Sequence, residues 1–154
     1  MDEKKKAKLR VWLRVLLIAT LCLIWGNSLI PGKESGQLSH GLTAWLQSIG
    51  IPVGEHFVRK AAHFCEFALL GTELAALLRL SDVSKLQGLC SAASAALGAA
   101  LVDESIQLFI PNRGPLLADV LLDFAGALTG IALCTLAIHY YLRQKTEKRD
   151  HRGR

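Results

Sequence analysis

The sequence predicts an all-α integral membrane protein: four transmembrane helices in a bundle, with a short interfacial helix in the outer loop. Three observations lead there. Hydrophobic residues make up 51% of the 154-residue chain, and mean hydropathy is positive at +0.33. Four apolar stretches run to about 20 residues each, the length an α-helix needs to cross the hydrocarbon core of a bilayer, and a soluble domain of this size rarely needs four. Most of the basic residues gather toward the chain ends, at or beyond the edges of the outermost stretches.

The spans fall at 9–28, 57–80, 86–109 and 117–141, within one domain covering 1–154. The formal charge is +5, which by itself suggests an acidic partner. Of the 18 Lys and Arg residues, however, six lie in the first fourteen positions, from Lys4 to Arg14, and six more run from Arg143 to Arg154. Positive residues beside membrane spans mark the cytoplasmic side. Four crossings bring the chain back to its starting side, so both termini are expected in the cytoplasm, and the turn with Arg79, Asp82 and Lys85 agrees. The basic tails suit anionic lipid headgroups. Nothing calls for nucleic acid.

The first span follows a lysine-rich start that resembles a secretory signal. It is longer than a signal core, and the stretch Leu29-Ile30-Pro31-Gly32 carries no small-x-small cleavage site, so an uncleaved signal-anchor is expected. Each span holds one cysteine (Cys22, Cys65, Cys90, Cys134), without CxxC or metal-ligand spacing. Packing as small apolar side chains is the expectation, not a disulfide framework.

The loop between the first two spans contains an amphipathic stretch over 39–50. Leu38, Leu42, Trp45, Leu46 and Ile49 recur at helical spacing, Ser39 suits an N-cap, and Gly50 followed by Pro52 suits a stop. A tryptophan on the apolar side fits a helix lying at the membrane interface.

The ionisable residues inside the spans carry the functional signal, because charge in a hydrophobic span is costly and marks a candidate site. The second span enters from outside, placing Arg59 and Lys60 at the outer surface, with His63 and Glu66 roughly 5–10 Å deeper at 1.5 Å per residue. The third span exits outward and brings Asp103, Glu104 and Gln107 to the same layer; the fourth brings Asp119 and Asp123. Spacing assigns faces: Arg59, His63, Glu66, Leu70 and Glu73 form one stripe, Asp103 and Gln107 pair at i, i+4, and Asp119 and Asp123 do the same. These stripes are expected to meet in the bundle. Gly126 and Gly130 continue the last one as a GxxxG pattern, which permits close helix approach, either within the bundle or in a homodimer. Ala92, Ala95, Ala96, Ala99 and Ala100 give the third span a slim packing surface.

The loop from Ile110 to Pro115 has prolines near both ends and holds Arg113 at the mouth of the acidic layer. The forked guanidinium suits carboxylate or phosphate, so Arg113 is expected either to join Arg59 and Lys60 around an anionic headgroup or to neutralise Asp103, Asp119 or Asp123. Glu73 lies deeper, and pairing with Arg79 or snorkelling toward the inner boundary is its simplest account.

Three segments, Val58-Arg59-Lys60-Ala61-Ala62-His63-Phe64-Cys65-Glu66-Phe67, then Asp103-Glu104-Ser105-Ile106-Gln107-Leu108-Phe109-Ile110-Pro111-Asn112-Arg113, then Asp119-Val120-Leu121-Leu122-Asp123-Phe124-Ala125-Gly126, resemble VanZ-like proteins in motif, order and spacing. The resemblance covers roughly residues 57–131. The family pattern often has a hydroxyl-bearing aromatic where this chain has Phe67, and Asn where it has Asp123. The resemblance implies a small polytopic protein of the bacterial cell membrane, from a family whose founding member is associated with resistance to the glycopeptide teicoplanin.

Three readings of the polar cluster stand side by side. One is an ion-paired network that fixes helix register. The second is an outward-facing site for an anionic envelope lipid or a lipid-linked cell-wall precursor, with Arg59, Lys60 and Arg113 on phosphate and Glu104, Gln107 and Asp119 among the ligand-binding groups. The third is an intramembrane hydrolase or transferase. In it His63 is general base beside Glu66 or Asp103, or His63, Glu66, Asp103 and Asp123 hold a divalent metal that activates water.

Overall fold

The computed structural model describes residues 2–81, 83–114 and 116–152, and only the backbone at Lys33, Leu38 and 149–152. Asp82, Pro115 and Arg154 lie outside the described residues. The chain forms α1 (Glu3–Leu29), α2 (Gly32–Ser48), α3 (Glu55–Arg79), α4 (Lys85–Gln107) and α5 (Leu117–Arg152), with no strand among the described residues. Four of the five, all but α2, are long and apolar enough to cross a membrane.

The boundaries have local causes. Pro31 has no N–H to continue α1, and its carbonyl accepts from the amides of Glu34 and Ser35 at 3.0 Å each, which starts α2. Ser84 caps α4 by accepting from the amide of Gln87 at 3.2 Å. With no proline or glycine over 131–152 to stop it, α5 extends eleven residues past the expected end of its span; its 36 residues reach about 54 Å at 1.5 Å per residue.

The outer-loop helix departs from expectation. It begins at Gly32, not near Ser39. Ser39 is mid-helix, and its hydroxyl donates to the Ser35 carbonyl at 3.1 Å, so it caps nothing. The glycines and serines of 32–41 disfavour helix intrinsically, but Pro31 supplies a start that local propensity does not reveal. The expected stop holds, with Gly50 at φ 86°. Leu42, Trp45 and Ile49 stay exposed in the protein alone, as an interfacial helix requires.

Helices α3 and α5 pack most closely. A β-carbon at Gly126 would meet the carbonyl of Phe64, one at Gly130 the carbonyl of Ala68, and one at Gly71 the backbone of Ala127. The Thr72 hydroxyl sits in the same seam, 2.9 Å from the Ala68 oxygen and 3.3 Å from that of Gly130. The GxxxG face is thus consumed within the chain, so the expected alternative, a dimer through Gly126 and Gly130, has no free face to use. Of the alanines on α4, Ala92, Ala96, Ala99 and Ala100 are buried and Ala95 is exposed. Phe67, fully buried, joins Ile24 and Leu70 in the core. The four cysteines are free.

Glu73 neither pairs with Arg79 nor snorkels. It is buried at 5% exposure and accepts from the Thr20 hydroxyl at 2.9 Å, while its Oε2 has no hydrogen-bond partner. An acid held by one neutral donor depends on that donor. Thr20→Val is expected to cost about 1–2 kcal/mol, read as a lower Tm in detergent, and to cost nothing extra in a Glu73→Leu background.

Contacts between helix ends define the two ends of the bundle. At one, Arg10 of α1 donates to the Leu80 carbonyl after α3. At the other, α1 ends beside the start of α3, the end of α4 and the start of α5. The expected polar layer lies at this second end.

Candidate functional site

Four helices and a loop build the polar layer. From α3 come Arg59, Lys60, His63 and Glu66; from α4, Asp103, Glu104 and Gln107; from α5, Asp119 and Asp123. Sequence periodicity anticipates these three stripes. It misses the share of α1: Asn27 Nδ2 donates to Glu66 Oε1 at 2.7 Å, and Ser28, fully buried, receives Gln107 Nε2 at 3.2 Å. The available signal was a pair of polar residues on the last turn of a largely apolar span.

The charges divide into partnered and unpartnered groups. Lys60 Nζ lies 2.6 Å from Asp119 Oδ1. One oxygen of Glu104 accepts from the Leu116 amide, which ties α4 to the start of α5. Gln107 Nε2 donates to Asp103 Oδ2 at 3.0 Å, the expected i, i+4 relation. Asp103 Oδ1 and His63 Nδ1 are buried without a hydrogen-bond partner. His63 Nδ1 is 3.8 Å from Glu66 Oε2, too far for a hydrogen bond. Asp123, at 3% exposure, has no cation among the described residues.

Arg113 does not neutralise the acids, one of its two expected roles. Its guanidinium donates to the carbonyls of Asn27, at 2.8 Å, and Ile30, at 3.1 and 3.3 Å. It therefore closes the C-terminal end of α1, where helix carbonyls lack intrahelical donors, and forms no ion pair with Asp103, Asp119 or Asp123. The loop that carries it turns at Asn112, with φ 60°, and the Pro111 carbonyl accepts from the Gly32 amide at 3.3 Å. Glycine is required there because a β-carbon on residue 32 would strike the Asn112 carbonyl.

Two cavities flank the layer. One, of about 70 Å³, is lined by Arg59, Lys60, His63, Gln107, Asn112, Arg113, Asp119 and Asp123 among others. The other, of about 180 Å³, opens between α1, α2 and α3 and is lined by Asn27, Ser35, Ser39, Arg59, His63, Glu66 and Arg113 among others. Arg59, His63 and Arg113 line both. Burial first, and then the field of Arg59, push the Arg113 guanidinium down from its ordinary value. Arg59 itself forms no salt bridge among the described residues. The arrangement thus offers one uncommitted guanidinium facing two cavities, and a tight group of one imidazole and two carboxylates, of which His63 and Asp123 line the smaller.

Residues 10–138 match the model of the VanZ/LLP1 family. The chain belongs to the VanZ-like family. The match takes in α2, α3, α4 and most of α1 and α5, so it covers the membrane-length helices together with the whole polar layer. No curated protein and no solved structure matches the chain. Family membership and four membrane-length helices make this a VanZ-like membrane protein. Of its departures from the common VanZ-like pattern, Phe67 falls in the apolar core and Asp123 in the polar layer.

Proposed function

We propose that this VanZ-like protein uses its polar layer, facing outward from the cell, to bind the anionic headgroup of an envelope lipid or of a lipid-linked cell-wall precursor. The observation that carries this reading is Arg59, a half-buried cation without an ion-pair partner, beside Arg113 and lining both cavities. A guanidinium so placed has its donors available for phosphate. The rim agrees in chemistry: Phe57, Leu108, Phe109, Leu116 and Leu117 are exposed around this end of the bundle, Phe109 at 84%, together with the apolar face of α2. A polar cavity at an end of the bundle that exposes apolar side chains suits the depth of lipid headgroups. Lys60, spent on Asp119, and Arg113, spent on α1 carbonyls, support the site more than they contact the ligand.

Catalysis by His63 as general base finds less support, since no carboxylate lies within hydrogen-bonding distance of His63 Nδ1. Native mass spectrometry of gently purified protein tests the headgroup reading. Arg59→Gln is expected to lose a co-purified anionic lipid by tenfold or more, a deficit of about 1.4 kcal/mol, with folding unchanged; Lys60→Gln is expected to lose less. An Arg59 variant that keeps the wild-type lipid complement sinks the reading. The envelope role is tested by expression in a glycopeptide-susceptible host, where teicoplanin tolerance is expected to rise in wild type and not in Arg59→Gln.

A further inference from the structure

We infer that His63, Asp103 and Asp123 form a binding site for a divalent cation. A ring nitrogen of His63 and one carboxylate oxygen from each aspartate lie within 4.8 Å of one another. An ion about 2.1 Å from each would draw them inward by under about 1 Å, within the reach of side-chain adjustment. Three separate helices supply these atoms, so the convergence belongs to the fold and not to a local acidic run.

A second observation points independently to a ligand. Asp103 is 0% exposed, and its Oδ1 has no hydrogen-bond donor, as His63 Nδ1 has none. Buried carboxylates are ordinarily paired or coordinate a metal. The nearby cations do not meet that need: Lys60 is on Asp119 at 2.6 Å, Arg113 is on backbone carbonyls, and Arg59 forms no salt bridge with either aspartate among the described residues. A divalent cation supplies the missing charge for both aspartates at once. Gln107, held between Asp103 Oδ2 at 3.0 Å and Ser28 Oγ at 3.2 Å, fixes one oxygen of Asp103 and leaves the other for the ion, the kind of support that metal-binding carboxylates receive. Glu66, weighed as a fourth ligand from sequence, lies outside the group of three; its Oε1 accepts from Asn27 at 2.7 Å and its Oε2 is buried without a partner.

One imidazole and two carboxylates suit Mn²⁺, Fe²⁺ or Zn²⁺. Three protein ligands leave coordination positions open, and His63 and Asp123 also line the 70 Å³ cavity that Arg59 faces. An anion held by Arg59 would therefore lie where it can complete the ion's shell. Ion binding itself stands without the headgroup reading.

The test uses full-length protein without a polyhistidine tag, stripped with chelator in a neutral detergent and titrated with Mn²⁺ and with Zn²⁺. Wild type is expected to take up about one ion per chain, with a Tm that rises with ion concentration as binding to the folded state demands. His63→Gln, Asp103→Asn and Asp123→Asn are each expected to weaken uptake by tenfold or more. Glu73→Gln, away from the cluster, is expected to bind as wild type. If Asp103→Asn folds poorly, the other two variants carry the test. Wild type without stoichiometric uptake or a Tm response, or His63→Gln and Asp123→Asn binding as tightly as wild type, overturns the site. Anionic lipid retained without ion uptake refutes the ion and leaves the headgroup reading standing; ion uptake without retained lipid does the reverse.

Discussion

Gly130→Leu is expected to leave little or no folded protein, the largest effect of any single substitution in this chain. The reason is backbone against backbone. A β-carbon at residue 130 would overlap the Ala68 carbonyl oxygen and approach Thr72 Oγ1, and no rotamer change relieves a clash with a carbonyl. The two helices would have to separate, undoing the matching approach of Gly126 to Phe64 and of Gly71 to Ala127. Overpacking a well-filled core costs about 1–3 kcal/mol even where side chains can yield; with backbone on both sides the loss is expected above that range. Gly71→Leu should behave alike. Gly98→Ala is the control, since nothing lies within 4 Å of a β-carbon there and replacing helical glycine by alanine is neutral or gains up to about 1 kcal/mol. Size-exclusion profile and Tm in detergent separate the outcomes; Gly130→Leu protein as monodisperse and stable as wild type would show that α3 and α5 do not meet through this seam.

That seam shows which features the sequence made legible. Within one helix, 3.6-residue periodicity decides which side chains share a face, so Asp103 with Gln107 and the stripe from Arg59 to Glu73 follow from spacing alone. Cost in hydrocarbon then turns the charged faces inward, and three charged spans converge on one layer. Partnership between helices is not encoded this way. Thr20 on Glu73 and Asn27 on Glu66 span separations of 53 and 39 residues, and a threonine or asparagine in an apolar span gives no hint of its target. Gly126 and Gly130 announced a close approach but not to which helix. The N-terminal half of α2 is hidden because its start depends on Pro31 and its anchoring on the loop at Pro111, both outside the amphipathic stretch over 39–50.

Arg113 is the clearest case of a side chain whose chemistry was evident and whose target was not, and Arg113→Ala is expected to have the largest effect outside the α3–α5 seam, about 2–4 kcal/mol, since hydrogen bonds from charged donors contribute about 1.5–3 kcal/mol. Carbonyl acceptors leave no trace in a sequence, so a basic residue above an acidic layer reads as an ion-pair partner. In the fold the guanidinium spans two carbonyls, at Asn27 and Ile30. Removing it frees the end of α1 and loosens the loop, which still meets Gly32 through the Pro111 carbonyl. Arg113→Lys restores the charge but not the fork, and is expected to recover less than half of the lost stability. A simple anion-binding arginine would behave otherwise: alanine would spare Tm and abolish lipid retention, and lysine would largely rescue it. Tm with hydrogen exchange across 25–36 decides between them. Faster exchange at the end of α1 and the start of α2 in Arg113→Ala, with Arg59→Gln unchanged there, assigns Arg113 to building the cavity and Arg59 to filling it.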